Sequence, residues 1–298
     1  MTLTVIANPS SGRGRVGKVL PEVTSALSDA HVDVRVVVTQ DAEDLRRAVR
    51  AVRESGDARV IVCGGDGTLH LAAQELAGGQ TALGVVPAGT GDDNARTLGI
   101  PRGSAADAAV LAAQGPVSWI DLGRVIAADG TERVFLGVLS SGFDSLVNER
   151  ANEMTWPSGD ARYLVAILAE LRTFRPVSYT ALIDGRHVQG DAMLVAVGNG
   201  VSYGGGMRVC PDAIPDDGLL DVTWLHGVRK STFLRVFPQV FTGGHVRTPY
   251  VSSMRASHLE LDAPGQLAYA DGERVGPLPI SVSVMRAALP VVRGNANA

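Results

Sequence analysis

A carboxylate stands among three glycines in residues 63–69, which read Cys-Gly-Gly-Asp-Gly-Thr-Leu and lie between a predicted buried strand and a predicted helix. Glycines let a backbone approach a ligand closely and point its N–H groups at an anion. Asp66 would repel bare phosphates from such a turn, so it favours contact with a metal ion or with a hydroxyl group during phosphoryl transfer. The structural alternative for Asp66 is a helix N-cap beside a tight turn.

Two further glycine-rich loops follow predicted strands of the same half of the chain. Residues 8–14 (the first loop) read Asn-Pro-Ser-Ser-Gly-Arg-Gly, residues 63–69 are the second loop, and residues 87–94 (the third loop) read Pro-Ala-Gly-Thr-Gly-Asp-Asp-Asn. Thr90 could bond a phosphate or an adenine edge, and Asp92 or Asp93 could cap a helix or meet a metal ion. Independent turns would not need so much glycine, so we expect the three loops to form one crevice.

Gly12 and Gly14 of the first loop, together with Gly17 just beyond it, form Gly-x-Gly-x-x-Gly, which is the spacing of a dinucleotide-binding fingerprint. The match is weak, because Asn-Pro-Ser-Ser follows the strand first and because no acidic residue ends the second strand at Thr39-Gln40. A phosphate cradle of serine hydroxyls, backbone N–H groups and Arg13 is therefore favoured over a Rossmann NAD site, and a simple capped turn into a helix stays open.

The elements that must position these loops alternate between strands and helices from Leu3 to Leu98. Strands are predicted at 3–7, 32–39, 59–63 and 82–86, and helices at 19–27, 41–55 and 69–77. This alternation is typical of βαβ units, whose parallel sheet is covered by helices on both faces. Ligand sites of such sheets lie at the carboxyl ends of the strands, which is where the loops are.

After about Pro116 short alternating runs dominate and predict antiparallel strands. Asp-Gly pairs, a strong hairpin signal, separate such runs at 129–130, 184–185 and 271–272. Amphipathic helices are predicted at 161–174 and 229–241. The predicted fold class is thus α/β plus β: an N-terminal α/β nucleotide-binding domain with a parallel sheet over residues 1–116, and a C-terminal antiparallel β-sandwich over residues 117–298, whose last residues pack back on the first domain.

Composition limits the classes of protein that remain. The 298 residues are 45% hydrophobic and 19% charged, which is enough apolar material for a large core and excludes a disordered chain. The net charge of −4 argues against a general nucleic-acid binder, and the absence of Gly-Lys-Ser/Thr excludes a Walker-A loop. Two cysteines cannot form a disulfide framework and indicate a reducing cytoplasm.

Five motifs occur in a fixed order along the chain: Asn-Pro-x-Ser-Gly at 8–12, Gly-Gly-Asp-Gly-Thr at 64–68, Pro-x-Gly-Thr-x-x-Asp at 87–93, Pro-Asp-Ala-x-x-Asp-Asp-Gly at 211–218 and Asp-Gly-Glu at 271–273. This ordered set resembles the diacylglycerol kinase catalytic domain family, and most of all its bacterial soluble lipid kinases. Sphingosine and ceramide kinases are more distant cousins, and NAD kinase shares the Gly-Gly-Asp-Gly element. The resemblance covers nearly the whole chain.

The resemblance implies that ATP binds with Mg²⁺ between the two domains. Asp66 would be essential for nucleotide and Mg²⁺, and the phosphates would meet the first loop and the turn at 65–68. The residues implied to contact or surround the nucleotide are Asn8, Pro9, Ser10, Ser11, Gly12, Arg13, Thr39, Gly64, Gly65, Asp66, Gly67, Thr68, Thr90, Asp93 and Asp121. Arg13 and Asp121 would share one polar network, with Asp121 at the domain junction.

The resemblance also implies a proton acceptor and a structural metal ion in the second half. Glu273 would accept the proton of the lipid hydroxyl, the task of a carboxylate within hydrogen-bond reach of the acceptor. After an Asp-Gly turn, a glutamate can also be merely solvated. A structural Mg²⁺ would bind Asp217 and the carbonyls of Ile214 and Leu219, although Asp-Asp-Gly is more often a surface turn.

We therefore expect an ATP- and Mg²⁺-dependent kinase that phosphorylates the hydroxyl of a diacylglycerol-like lipid to a phosphatidic-acid-type product. One alternative is a kinase for another acceptor, a sphingoid base or NAD. Another is a catalytically silent lipid or nucleotide sensor, which is encouraged by Asp92 and Asn94, since the family usually has Asn and Phe at these positions.

A lipid substrate requires access to a membrane surface. We therefore expect a cytoplasmic protein that attaches to membranes peripherally and has no nucleic-acid partner, and a homodimer stays open. Residues 229–237 have basic and apolar faces. They either touch an anionic bilayer or pack on the core with a solvated basic edge.

Overall fold

The computed structural model describes residues 2–154 and 160–294. The strands of the N-terminal half are β1 (Leu3–Ala7), β2 (Val34–Val38), β3 (Arg59–Gly64) and β4 (Ala82–Pro87). They form a parallel sheet in the order β4-β3-β1-β2. The helices of this half are α1 (Ser11–Asp29), α2 (Ala42–Glu54), α3 (Asp66–Leu76), α4 (Asp93–Thr97) and α5 (Ala105–Gln114).

Apolar periodicity and capping explain these elements. β3 is buried continuously from Val60 to Gly64, because helices cover both faces of a parallel sheet. α2 begins where the Asp44 amide donates a hydrogen bond to the side chain of Asp41 at 2.8 Å. Its buried residues Leu45, Val49 and Val52 recur at helical spacing on one face. The predicted parallel α/β domain is confirmed.

The C-terminal half is built from antiparallel ladders. Its strands are β5 (Val117–Ala127), β6 (Glu132–Phe135), β7 (Val138–Gly142), β8 (Val177–Ile183), β9 (Arg186–Gly198), β10 (Leu220–His226), β11 (Val251–Ala256), β12 (His258–Asp262), β13 (Leu267–Ala270), β14 (Glu273–Pro277) and β15 (Ile280–Val292). Its helices are α6 (Phe143–Glu153), α7 (Asp160–Thr173) and α8 (Lys230–Val236), followed by short 3₁₀ turns at Phe237–Phe241 and Gly244–Arg247. The predicted antiparallel character of this half is confirmed.

Two long strands belong to both halves. β15 pairs antiparallel with β5 along most of its length and also meets β4, where Val291 lies opposite Leu83. Leu122 of β5 and Leu289 of β15 are buried in the same hydrophobic core as the parallel sheet. The outer parts of these strands, with Val282, belong to a second core that surrounds Tyr179 and Trp224. The strands β5 and β15 therefore connect the two halves and contribute side chains to both cores.

Two helices differ from their sequence-based expectation. The predicted helix at 229–241 is α8 followed by a 3₁₀ turn, because Pro238 has no N–H to continue the α-helical hydrogen bonds. α6 was not predicted, since its apolar spacing is weak. Among the described residues, no helix is long and apolar enough to cross a membrane. Residues 155–159 and 295–298 of the predicted second domain lie outside the described part of the chain.

Candidate active site

The three glycine loops touch one another at the carboxyl ends of β1, β3 and β4. A Cβ atom on Gly12 would stand 2.1 Å from the carbonyl oxygen of Ala88, and one on Gly65 would stand 2.9 Å from the Cα of Gly89. Only glycine allows these approaches. Arg15 Nη1 also donates a hydrogen bond to the Gly89 carbonyl at 2.5 Å. The single crevice expected from the sequence is therefore present.

The first loop is held by Asn8 and turns through left-handed backbone. Asn8 Nδ2 donates to the Gln40 carbonyl at 3.1 Å, and Asn8 Oδ1 accepts from the Ser10 amide at 3.0 Å. Residues 12, 13 and 14 have φ angles of 60°, 60° and 81°. Glycine tolerates this conformation, whereas Arg13 adopts it at a cost. The exposed Arg13 side chain lines the cleft described below.

Asp66 joins the second loop to the third. It is the first residue of α3, yet its carboxylate caps α4: Oδ1 accepts from the Asn94 amide at 2.9 Å, and Oδ2 accepts from the Asp93 amide at 3.2 Å. Burial raises the pKa of Asp66 to about 6, although the two amide hydrogen bonds lower it. The N-cap alternative for Asp66 thus holds in part, because Asp66 caps a helix other than its own.

Asp92 and Asp93 have different partners. Asp92 Oδ1 accepts from the Gly89 amide at 2.9 Å and closes the turn of the third loop, and burial raises its pKa. Asp93 is buried and reaches the C-terminal half, where it accepts from Ser202 Oγ at 2.9 Å and from the Gly205 amide at 2.7 Å. Its charge is compensated by Arg96.

A cleft of about 570 Å³ lies between the loops and the C-terminal half, which is a normal size for a ligand site. Its polar wall includes Arg13, Asp66, Thr90 and Asp93. The opposite wall is formed by residues 202–205 together with Asp271 and Gly272. Four of the residues predicted to surround the nucleotide therefore line one cleft.

Glu273 lies across from the second loop. It follows the Asp271-Gly272 turn as the first residue of β14, and it is exposed. A Cβ atom on Gly67 would stand 3.8 Å from Glu273 Oε1. The carboxylate expected to accept a proton therefore faces the turn that carries Asp66.

Comparison with known proteins identifies the family that shares this architecture. A family model described as diacylglycerol kinase catalytic domain matches residues 2–125, and one described as YegS C-terminal NAD kinase beta sandwich-like domain matches residues 137–293. A diacylglycerol kinase of Mycobacterium tuberculosis is 42% identical over 292 residues, which cover 98% of this chain and 94% of that protein. The chain belongs to the diacylglycerol kinase-like family of lipid kinases.

Other relatives of this lipid kinase agree with the assignment. A Klebsiella pneumoniae protein named "Probable lipid kinase YegS-like" is 30% identical over 285 residues and covers 94% of this chain and 92% of its own length. The crystal structure of a diacylglycerol kinase from Bacillus anthracis shares the fold, with a TM-score of 0.75 at 21% identity over 100% of this chain and 98% of that one. The prediction of a phosphotransferase is confirmed, and ATP is the phosphate donor that the family implies.

Several predicted residues of this lipid kinase lie outside the cleft wall. Both oxygens of the buried Asp121 accept backbone N–H groups, from Gly218 at 2.6 Å and from Ala287 at 2.7 Å. Asp121 therefore organises the domain junction, and no contact joins it to Arg13 within the described residues. Thr39 is buried and donates its amide to the Ala7 carbonyl at 2.9 Å. Thr39 therefore ties its strand to the residue that precedes the first loop, whereas the Asp121 carboxylate accepts from residues outside the three loops.

The loop around Asp217 does not offer a vacant cation site. Asp217 Oδ1 accepts from the Leu219 amide at 3.0 Å, and Oδ2 is paired with Arg255. Among the described residues, no group of three or more His, Cys, Asp or Glu side chains is arranged to hold a metal ion. In this arrangement the donors predicted for a structural Mg²⁺, Asp217 with the carbonyls of Ile214 and Leu219, do not fit a divalent cation, because a guanidinium already neutralises the only carboxylate.

Sequence reasoning missed two parts of the site. One is a fourth glycine loop, in which Gly204, Gly205 and Gly206 all have positive φ and line or adjoin the cleft. The three adjacent glycines were its visible signal. The other is the pairing of His70 with Asp271 across the two halves, at 3.2 Å between Nδ1 and Oδ2. No spacing in the sequence reveals a contact between residues so far apart.

An apolar cavity adjoins the cleft of this lipid kinase. It encloses about 50 Å³ under α6 and α8, and its lining includes Phe143, Val147, Leu225 and Phe233. Four residues line both the cavity and the cleft: Ile167, Tyr203, Met207 and Phe237. A polar site and an apolar cavity are therefore separated by a single layer of side chains.

Proposed function

We propose that this lipid kinase transfers the γ-phosphoryl group of ATP to the hydroxyl of a diacylglycerol-like lipid and forms a phosphatidic-acid-type product. The observation that carries the proposal is the shared wall between the polar cleft and the apolar cavity. A lipid alcohol has a hydroxyl that must reach the γ-phosphoryl group of ATP, and it has an apolar chain that is more stable when it is buried away from water. The cleft can take the polar end, and the adjoining apolar cavity, at about 50 Å³, would take a chain once the side chains shared with the cleft move aside.

The glycine loops suit the triphosphate. The Arg13 side chain lines the cleft beside these closely packed loops, and glycine loops of this kind can turn backbone amides toward anionic oxygens. Thr90 is exposed in the cleft wall and offers a hydroxyl. We assign the phosphates of ATP to the first and second loops, with Gly64, Gly65, Gly67 and Thr68 forming the turn beside them.

The carboxylates beside this turn fit a Mg²⁺ ion that arrives with ATP. Asp66 Oδ2 and Asp93 Oδ2 each lie 3.3 Å from the position of a Cβ on Gly91, so both converge on one point. Mg²⁺ prefers oxygen ligands and usually takes only one or two protein carboxylates beside phosphates and waters. When bound, the ion would neutralise charge on the transferred group. Asp66 would hold it, while Asp93, which pairs with Arg96 and accepts from Ser202 and Gly205, lies beside it.

Glu273 supplies the proton chemistry. As the lipid oxygen bonds to the γ-phosphorus and the bond to ADP breaks, the hydroxyl proton passes to the Glu273 carboxylate. Its position opposite Gly67 places it beside the loop assigned to the phosphates. It is exposed and directly follows Asp271 and Gly272, which line the cleft, so the hydroxyl of an acceptor can approach it.

The apolar cavity favours a lipid over NAD as acceptor. Each CH₂ group that a chain buries contributes roughly 0.8 kcal/mol, whereas NAD has no chain to bury. Binding requires the side chains shared by cleft and cavity, such as Phe237, to move aside. A sphingoid base has a comparable chain, so the choice between the two lipids depends on the group near Glu273.

The departures from the family pattern are compatible with activity. Asp92 forms a local hydrogen bond within the third loop and leaves Thr90 and Asp93 in the cleft wall. Asn94 is buried, and its Oδ1 lies 2.8 Å from the position of a Cβ on Gly137, so a small polar side chain suits this contact. Neither residue blocks the cleft, which argues against the silent sensor.

The lipid would enter from a membrane surface at α8. Residues 222–250 carry four cations, Arg229, Lys230, Arg235 and Arg247, and no Asp or Glu. Leu234 and Phe241 are each 51% exposed on this segment, and Phe241 also lines the cleft. Cationic and apolar groups together suit an anionic bilayer. We therefore assign peripheral membrane contact to α8 and the following 3₁₀ turn.

The test is phosphate transfer from labelled ATP with Mg²⁺ to diacylglycerol, ceramide and sphingosine in mixed micelles, and to NAD in solution. Diacylglycerol should be the best acceptor. Glu273→Gln should lower turnover at least about 100-fold and leave ATP affinity within about twofold. Glu260→Gln, at an exposed position on β12, is the matched control and should change neither. Transfer to NAD alone, or full turnover in Glu273→Gln, would refute the proposal.

A further inference from the structure

A polar stripe runs along the side of α3 that faces the C-terminal half. Asp66, His70 and Gln74 are spaced by four residues, so they lie on one face of the helix. Asp66 accepts the amides of the third loop. Gln74 binds β6 twice, because its Nε2 donates to the Val134 carbonyl at 2.6 Å and its Oε1 accepts from the Val134 amide at 3.1 Å.

These contacts determine the protonation of His70. The two hydrogen bonds to Val134 fix which end of the Gln74 amide is nitrogen. Gln74 Nε2 lies 3.3 Å from His70 Nε2, and an amide nitrogen only donates, so His70 Nε2 is the acceptor. The proton of the neutral imidazole therefore sits on Nδ1. Nδ1–H donates to Asp271 Oδ2 at 3.2 Å.

Asp271 in turn fixes the turn that carries Glu273. The side chains of His70 and Asp271 are 3% and 1% exposed, so water does not compete for this pair. Asp271 also accepts from the Leu136 amide at 2.9 Å and from the Gly137 amide at 2.8 Å. Asp271 and the next residue, Gly272, have φ angles of 51° and 84°, the left-handed conformation that Asp-Gly hairpin turns favour, and the hydrogen bonds of Asp271 tie this turn to α3 and to residues 136–137.

We propose that His70 is a positioning residue for Glu273. No hydrogen bond to the Glu273 carboxylate is found within residues 2–154 and 160–294, so its place depends on the turn that precedes it. His70 ties that turn to α3, the helix whose first residues, Asp66 and Gly67, face Glu273. One helix thereby sets the distance between the loop assigned to the phosphates and the proton acceptor. The inference rests on the proposed role of Glu273.

Kinetics of two substitutions test the inference. His70→Phe fills the volume of the ring but cannot donate to Asp271, and it should lower kcat by about 10- to 100-fold with the KM for ATP within about threefold. His70→Asn offers an amide N–H near the place of Nδ1 and should recover most of kcat. A loss that appears in the KM for ATP alone, or an equal loss in both variants, would overturn the proposal.

A double-mutant cycle separates this proposal from the function on which it rests. In a Glu273→Gln background, His70→Phe should cause less than about a twofold further loss of residual turnover, because its effect passes through Glu273. An undiminished loss in that background would overturn the positioning role while leaving the general base intact. Full activity in Glu273→Gln would instead refute the general base. If thermal melting shows that His70→Phe does not fold, His70→Leu replaces it in the same cycle.

Discussion

Ser202 Oγ donates a hydrogen bond to Asp93 Oδ1 at 2.9 Å, so a helix of the parallel domain holds the loop that follows β9. The Gly205 amide donates to the other oxygen of the same carboxylate at 2.7 Å. A second contact between the two halves is the pair formed by His70 and Asp271, and Asp271 also lines the cleft. Both contacts are buried and join the same two halves. Together they hold the two walls of the cleft at a fixed separation.

The first prediction concerns Asp93. Asp93→Asn should lower the free energy of unfolding by about 1–3 kcal/mol, because a buried donor on Ser202 or Gly205 loses its acceptor. Urea unfolding measures the change. Asp262→Asn, at an exposed position of β12, should stay within about 0.5 kcal/mol of wild type. Equal stability of all three proteins would contradict the bridging role of Asp93.

The second prediction concerns the pH dependence of stability through Asp66. Its pKa is about 6 in the folded protein, whereas the ordinary value for an aspartate, 3.8, applies to the unfolded chain. Between these two pH values the native state therefore keeps a proton that the unfolded chain releases. The free energy of unfolding should therefore fall as pH rises from 4 to 6, by roughly 3 kcal/mol for this group. Asp66→Asn should remove that part of the slope in urea titrations at pH 4, 5, 6 and 7.

Asp221 is the control for this titration, because burial raises its pKa to about 6 as well. Asp221→Asn should remove a separate part of the same slope, and the wild-type slope should retain both parts. If Asp66→Asn leaves the slope between pH 4 and 6 unchanged, then Asp66 is not the buried acid that the geometry describes. Activity should rise through pH 6 as Asp66 ionises and becomes able to hold a cation.

The third prediction concerns the contact of the first and third loops. Gly12→Ala should weaken ATP binding at least about tenfold, because its Cβ would stand 2.1 Å from the Ala88 carbonyl oxygen and force the loops apart. Gly56→Ala is the matched control, since Gly56 also has a positive φ, of 74°, but no atom lies within 4 Å of its Cβ position. It should cost about 1 kcal/mol in stability and leave ATP binding unchanged. Calorimetric titration with ATP distinguishes the two.

The fourth prediction concerns the membrane surface. Leu234→Gln should lower binding to vesicles containing anionic lipid about tenfold in sedimentation, because in the proposed membrane contact this half-exposed side chain would insert among lipid chains. Trp119→Gln removes an apolar side chain that is 40% exposed on β5, away from α8, and should bind as wild type. Arg235→Glu should weaken binding to anionic vesicles and have little effect with neutral ones. Equal binding by all variants would place the membrane contact elsewhere.

The fifth prediction concerns Asp217. Because Arg255 already pairs with this carboxylate, Mg²⁺ without nucleotide should raise the melting temperature of wild type no more than that of Asp217→Asn. Arg255→Gln frees the carboxylate and should create a Mg²⁺-dependent rise. A rise in wild type that Asp217→Asn abolishes would restore the structural ion that the resemblance implies.

Much of the architecture followed from local signals. Buried β-branched runs and helical spacing predict β3 and α2, and the rule that ligand loops lie at the carboxyl ends of parallel strands predicts that the three loops meet. The Asp184-Gly185 turn is equally local and joins β8 to β9, as its sequence predicts. These features depend on residues within a few positions of one another.

The rest depends on tertiary contacts. Nothing in the sequence around Asp66 shows that it caps α4. The donors are the amides of Asp93 and Asn94, the first two residues of that helix, which follows a different strand. The same holds for His70, whose partner Asp271 is 201 residues away. Asp121 was placed with Arg13, but its two oxygens are taken by amides at the junction. Spacing along the chain cannot reveal which backbone groups a buried carboxylate will meet.

The strand β15 has a mechanical consequence. It pairs with strands of both halves, and its register against β5 shifts between Met285 and Leu289. At that irregularity Ala287 has a φ of 45°, and its amide donates a hydrogen bond to Asp121 Oδ1 at 2.7 Å. Rotation of one half against the other would have to bend β15. The irregularity between Met285 and Leu289 is where the strand pairing is interrupted, and there the Ala287 amide is held by Asp121. We therefore expect substrate exchange to involve the side chains shared by the cleft and the cavity rather than a change in the angle between the two halves.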